Sequence, residues 1–148
     1  MLDTDTVSYA LRGQGQVATH LLSHRPSEIH LSSITLAELR YGAERRRSRK
    51  LWGLIDTFIA AVRVLPFDQA VADRFGSVAT ALADQGTPIG EFDTLIAAHA
   101  LAVRMTLVTN NTKHFACVTG LKTENWIKHN RKWVAQQADG ADNASRRR

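Results

Sequence analysis

Three carboxylates share one local setting in this chain. Asp3 follows the apolar stub Met1-Leu2 and precedes helical sequence through Val7 and Leu11. Glu38 falls in the first turn of a helix expected to begin at Thr35, and Asp93 opens a helix inside the stretch 90–111, GEFDTLIAAHALAVRMTLVTNN. One reading of each is structural: Asp is a favoured N-cap, and Thr35-Leu-Ala-Glu38 fits the capping box in which Glu reaches back to the cap N–H. The other reading is chemical. Right-handed crossovers put successive helix N-termini on the same rim of a parallel sheet, so the three acids can converge there. Anions crowded together raise one another's pKa unless a cation joins them. Hard oxygen ligands suit Mg²⁺, with Mn²⁺ as a substitute. Such an ion polarises a phosphodiester, helps ionise an attacking water and shields the leaving oxygen. Asp5 is a fourth acid of this site or the cap of the first helix. Spacing alone leaves both readings open.

The elements that would position these acids are legible as alternating short strands and helices. Residues 29–34 are strand-like, and the helix after them passes through Leu36, Leu39 and Ala43 to the basic run Arg45, Arg46, Arg47, Arg49 and Lys50. A helix carrying Val17 and Leu21 follows the Gly13-Gln-Gly15 break. Leu51, Leu54, Ile55, Phe58 and Val62 mark an amphipathic helix, and residues 62–65 a short strand before Pro66. Asp68 should cap a long helix through Val71, Phe75, Val78 and Leu82 that Gly86 closes. In the helix after Asp93, Phe92, Leu95, Ile96, His99 and Val103 are expected to form one buried face, with Ala97, Ala98 and Ala100 allowing close approach to a sheet. Residues 105–109 read as a buried parallel strand ending in the polar cluster Thr109-Asn110-Asn111, and residues 121–126 as an edge strand with an aromatic plug. Ligands of open α/β sheets bind at the carboxyl ends of the strands, where Asp3, Asp93 and the Thr-Asn-Asn cluster would meet. The predicted fold class is therefore α/β, a parallel sheet with helices on both faces.

A length of 148 residues suits one domain with a sizeable core. The lone Cys117 excludes an internal disulfide and suits a reducing cytoplasm, and no apolar run is long enough to span a bilayer. The net charge of +5 leans towards a polyanionic partner. Much of that charge lies in residues 131–148, whose polar, Arg-ending sequence is expected to be a disordered basic tail beyond a domain of residues 1–130.

Several segments, in this order, resemble the PIN-domain nucleases, and specifically the VapC-type toxins of toxin–antitoxin pairs. They are Leu2-Asp3-Thr4-Asp5, residues 33–42 (SITLAELRYG), 86–90 (GTPIG), 92–100 (FDTLIAAHA), 107–112 (LVTNNT) with Phe115, and Glu124-Asn-Trp126. The resemblance implies a three-layer α/β/α PIN-like domain with a central, mainly parallel twisted sheet. It also implies a Mg²⁺-dependent endoribonuclease with Asp3, Glu38 and Asp93 as catalytic and metal-binding residues. Implied partners are tRNA or another structured RNA, a cognate antitoxin that inhibits it, and a second copy in a homodimer, all in the cytoplasm. The family's further metal-proximal position, often acidic, falls within residues 109–114. Here that segment offers Asn110, Asn111 and His114, which leaves three acids to carry the metal, Asn111 to hold a metal-bound water, and Thr109 and Asn110 in support. Met1-Leu2 is shorter than the usual lead into the first motif, so translation is expected to begin upstream.

Other residues carry weaker signals. His99 reads as a hydrogen-bonded core histidine. His20 and His24, one helical turn apart, read as a solvated helix face rather than half a zinc site. His114 can contact phosphate or be an ordinary loop histidine. The run Arg45–Lys50 grips RNA phosphates or an acidic antitoxin segment, or simply complements a helix C-terminus. The rival functions are a non-catalytic nucleic-acid-binding or antitoxin-dependent repressor module and a PIN-like DNA nuclease. Three carboxylates aimed at one place favour catalysis, since a pure nucleic-acid binder gains nothing by facing phosphates with anions.

Overall fold

The structure is a computed structural model and describes residues 1–127; the expected basic tail lies outside them. Four short strands, β1 (His30–Ser32), β2 (Arg63–Leu65), β3 (Leu107–Val108) and β4 (Thr123–Glu124), pair in parallel as β1 with β2 and β3 with β4. Leu2 joins the two pairs by parallel bridges to Leu31 and to Val108. The sheet order is therefore β2, β1, Leu2, β3, β4. The central position is brief but bonded on both sides: Leu2 N donates to His30 O at 2.9 Å, Asp3 N to Val108 O at 3.0 Å, and Val108 N to Met1 O at 2.8 Å.

Successive side chains of a strand face opposite sides, and here they enter two separate cores. Met1 and Leu107 pack with Val78, Leu82, Ile96 and Phe115 on one face. Leu2 and Val108 pack with Val7, Val17, Leu39, Ile55 and Trp126 on the other. The first face is covered by α5 (Gln69–Asp84) and α6 (Glu91–Ala102), and the second by α1 (Thr4–Leu11), α2 (Val17–Leu22), α3 (Ser33–Arg45) and α4 (Arg49–Ala61). A single turn of helix, α7 (Thr112–Phe115), follows β3. Helix, sheet and helix make three layers, as expected. No helix among the described residues is long and apolar enough to cross a membrane.

Local rules explain most boundaries. Asp68 caps α5 by accepting from Val71 N at 3.0 Å, and Gly86, at φ +67°, ends it in the left-handed region that glycine adopts without penalty. Three expectations need correction. The helix of the third acid starts at Glu91, not Asp93, because Gly90 at φ +91° turns the chain into it earlier. Its burial is not one-sided: Ile96 to Ala100 are all buried, while Phe92 is 54% exposed. The helix packs against α5 and α3, and Ala97, Ala98 and Ala100 are buried in keeping with the close approach expected of them, so the departure lies at Phe92. His20, finally, is buried and stacks on Trp126 at 5.1 Å, with exposed His24 stacked on the same ring at 4.9 Å. The aromatic plug after β4 thus draws His20 out of the solvated face assigned to it, while His24 stays exposed over the same ring.

Candidate active site

Asp3 lies at the end of the central strand segment, where backbone extended at φ −81°, ψ 172° turns into α1. Its Oδ1 accepts from Thr6 N at 2.7 Å, so the N-cap reading holds for this acid. The Thr6 hydroxyl then ties the helix to the sheet by donating to Val108 O at 3.1 Å. Asp3 is only 6% exposed. Burial pushes its carboxyl above the ordinary range, and the neighbouring Asp5 adds to this. Hydrogen bonds from Thr109 and Thr6 oppose the shift.

Glu38 has no capping role. The helix α3 begins at Ser33 with Ser32 as its cap, whose Oγ accepts from Ile34 N at 3.1 Å. The predicted Thr35–Glu38 capping box is therefore absent. Thr35 is buried within the first turn with a hydroxyl that finds no partner among the described residues, and Glu38 lies in the second turn. Ser32 wins because its Oγ also meets Nδ1 of the buried His99 at 2.7 Å, a tertiary contact that fixes where α3 starts. His99 is thus the core histidine expected, and it locks α6 to the head of α3. The Glu38 carboxylate turns to the rim, where Oε1 accepts from the Thr4 hydroxyl at 2.7 Å. Partial burial raises its pKa, as do the charges of Asp93, Asp5 and Asp3, while the bond from Thr4 lowers it.

Asp93 is the third residue of α6, and it too caps nothing, since Gly90 occupies the cap position. Its Oδ2 lies 2.8 Å from Nε2 of His114, which is also 3.0 Å from the carbonyl of Ile89. Asp5 is exposed in the first turn of α1 and, with Asp3 as the cap, does not cap that helix.

The Thr109–Asn111 cluster divides its tasks. Thr109 is fully buried, supports Asp3 and accepts from Asn111 N at 3.0 Å. Asn110 is turned away, its Oδ1 accepting from Asn125 Nδ2 at 3.3 Å. Asn111 is exposed at the start of α7. Arg45, Arg46, Arg47, Arg49 and Lys50 are all exposed around the turn from α3 to α4. Of these, Arg46 lines a groove of about 360 Å³ that also contains Asp5, Glu38 and Arg12.

Glu38 is therefore within electrostatic reach of Asp93, Asp5 and Asp3, and Asp3 within that of Asp5. Among the described residues no group of three or more His, Cys, Asp or Glu side chains stands close enough together to hold a metal ion as placed. The donor chemistry nevertheless fits a hard divalent cation. Asp3 is engaged by Thr6 and Thr109, and one carboxylate oxygen each on Glu38 and Asp93 by Thr4 and His114, so carboxylate oxygens remain that are the hard donors such an ion takes. Sequence reasoning missed Thr4 and Ser32. Thr4 stands directly beside Asp3 and could have been read as a rim hydroxyl, whereas Ser32, Ser33 and Thr35 were equally good caps by type.

The PIN domain family model matches residues 1–120. The tRNA(fMet)-specific endonuclease VapC of Shigella flexneri is 38% identical over 128 residues, 85% of this chain and 96% of that protein. Among solved structures, DNA-bound VapBC from Salmonella typhimurium aligns with TM-score 0.80 and 34% identity over 85% of this chain and 96% of its own. VapBC2 from Rickettsia felis, bound to a DNA fragment from its promoter, aligns with TM-score 0.78 and 36% identity over 85% and 97%.

Proposed function

From the premise that this chain belongs to the PIN-domain family and, within it, to the VapC ribonucleases, we propose that Asp3, Glu38 and Asp93 form the acidic centre of a Mg²⁺-dependent endoribonuclease. The observation that carries this reading is the approach of acids from three distant segments: the hydroxyl of Thr4, next to Asp3, reaches Glu38 Oε1 at 2.7 Å, and the charges of Asp93, Asp5 and Asp3 act on Glu38. Bare mutual repulsion of this kind costs stability, and a bound cation would relieve it. Mg²⁺, with Mn²⁺ as a substitute, would be held by Asp3, Glu38 and Asp93, and when bound it supplies charge to polarise the phosphodiester and acidify water.

The chain's own side chains do the rest. Thr6 and Thr109 hold Asp3, Thr4 holds Glu38, and Asn111 is open to water at the head of α7. Attack is in line: a water oxygen forms a new bond to phosphorus as the bond to the leaving oxygen breaks. The proton lost by the water ultimately balances the charge on the leaving group. Exposed Arg46, with Arg45, Arg47, Arg49 and Lys50 beyond it, supplies positive charge towards which flanking phosphates of the substrate extend.

The substrate we propose is tRNA, because relatives from Shigella and Salmonella are named as tRNA(fMet)-specific endonucleases. The proposed setting is the cytoplasm, as a homodimer held inactive by a cognate antitoxin; the solved relatives are toxin–antitoxin complexes. Two of those complexes were solved on DNA, so we propose operator binding as a property of the toxin–antitoxin complex rather than as a substitute for catalysis. Incubating purified protein with total tRNA, with and without EDTA, tests the central claim. Cleavage that is abolished by EDTA, restored by Mg²⁺ and missing in Asp93→Asn is expected; cleavage indifferent to EDTA would overturn the metal-dependent reading.

A further inference from the structure

We infer that His114 is a positioning residue for Asp93, acting through a single Nε2–H that clips α7 to the first turn of α6 and to the loop before it. The inference rests on the metal-centre reading above and adds a residue to it.

Nε2 of His114 faces two acceptors at once, Asp93 Oδ2 at 2.8 Å and the Ile89 carbonyl at 3.0 Å. Neither can donate when Asp93 is ionised. The ring nitrogen must therefore carry the proton, since a bare lone pair there would face two others. The consequence is geometric. Asp93 is half-exposed on a helix whose cap, Gly90, offers no side chain, so nothing else among the described residues hydrogen-bonds its carboxylate. A carboxylate so placed can turn about its side-chain torsions. Anchoring Oδ2 leaves Oδ1 as the oxygen presented to the rim.

The imidazole is itself held. Its ring meets the buried Phe115 edge-on at 5.3 Å, and Phe115 is fixed in the core against Ile96 and Leu107. The Ile89 side chain is buried in the same core, so the second acceptor is rigid as well. Both hydrogen bonds of the His114 imidazole use Nε2, so that nitrogen is occupied as a donor and has no lone pair to offer a cation. This is the geometry of a residue that orients a ligand rather than of one that ligates. Outer-shell partners of this type typically contribute about 10–100-fold in metal affinity.

The test uses three variants and two measurements on the full chain. Nitrogen-15 NMR of metal-free wild type should show His114 protonated at Nε2, with its resonances moved in Asp93→Asn. Calorimetry with Mg²⁺ alone should show His114→Ala weakened roughly 10-fold or more. His114→Gln, whose amide N–H sits where Nε2–H does, should stay within about 3-fold of wild type on the same scale. Equal loss in the Ala and Gln variants would overturn the clip in favour of direct ligation. A neutral ring protonated at Nδ1 alone would also overturn it. Unchanged affinity in His114→Ala while Asp93→Asn loses binding would overturn the clip and leave the metal centre standing. Unchanged affinity in both would remove the metal centre and the clip with it.

Discussion

The acid rim and the aromatic seam around Trp126 are both built from polar groups brought together by short strands, yet they are organised in opposite senses. At the rim, Asp3 and Glu38 are pushed towards protonation by burial and by each other's neighbours, and each is steadied by a threonine hydroxyl. At the seam, Trp126 is 5% exposed, donates Nε1–H to Glu124 Oε2 at 2.9 Å, and carries His20 and His24 on its ring. The seam satisfies its polar atoms and closes the edge of the sheet. The rim leaves negative charge uncompensated. A fold tolerates that where something is to be bound, so the difference separates a site from a seam without appeal to residue type.

The sharpest way to break this contrast is to neutralise the rim while preserving shape. Asp93→Asn and Glu38→Gln remove anions but no helix cap, since neither residue caps. A loss of about 3 kcal/mol in transition-state stabilisation would lower the cleavage rate roughly 100-fold, as a single-turnover tRNA assay would read. Thermal melting of the metal-free variants should show stability equal to or above wild type, because repulsion is relieved. Wild-type activity in a folded Asp93→Asn would make the rim another seam.

The seam should respond the other way. Trp126→Ala removes a large buried ring and its hydrogen bond, at a cost of about 3–5 kcal/mol, measurable by urea unfolding. Cleavage per folded molecule should be nearly unchanged. A smaller effect is expected from the ion itself: Mg²⁺ at about 100 times its dissociation constant stabilises by about 2.7 kcal/mol through mass action. That gain should raise the melting temperature of wild type and shrink in Asp93→Asn and Glu38→Gln, while Trp126→Ala keeps it.

The smallest signature is in the pH dependence, where the two regions carry opposite signs. Folded Asp3 and Glu38 titrate above their ordinary 3.8 and 4.5, so the folded state holds those protons more tightly than the unfolded chain. Their contribution is fully present below those values and is lost as pH rises through the raised ones. For His20, burial and then His24 lower the pKa below 6.5, against Glu124; burial also lowers that of His99. Stability from these two is present above 6.5 and is lost as pH falls through the lowered values. His20→Phe, which keeps a ring on Trp126, should flatten the loss on the acid side. Asp3→Asn with Glu38→Gln should flatten the loss on the other. Metal-free unfolding from pH 4 to 8 measures both slopes; a single variant that flattens both would merge the two regions into one electrostatic unit.

How much of this was legible beforehand follows from where each signal resides. The parallel α/β class, the elements after Asp3, the Asp68 cap and the aromatic plug were all readable, because each depends on residues a few positions apart. The three acids were readable as candidates, and Asp3 proved to be a cap as well. The start of α3 was misplaced because Ser32, Ser33 and Thr35 are chemically equivalent caps, and the choice between them is made by His99, 67 positions away. The burial of Phe92 in α6 was misjudged because helical spacing says which residues share a face but not how far along it the neighbouring α5 and α3 reach. His20 was misassigned because Trp126 lies more than a hundred positions downstream.

What this sequence determined by itself is local: residue types, periodicity and the polar punctuation that starts and ends helices within a turn or two. From these follow the alternation of strands and helices and the placing of acids near helix starts. Only the tertiary structure decided which acids cap and which face the rim, and that Thr4, His114 and Thr109 are the groups that hold them. The physical reason is that capping is settled by hydrogen bonds within one turn, whereas burial and charge repulsion depend on everything within several ångströms, whatever its distance along the chain.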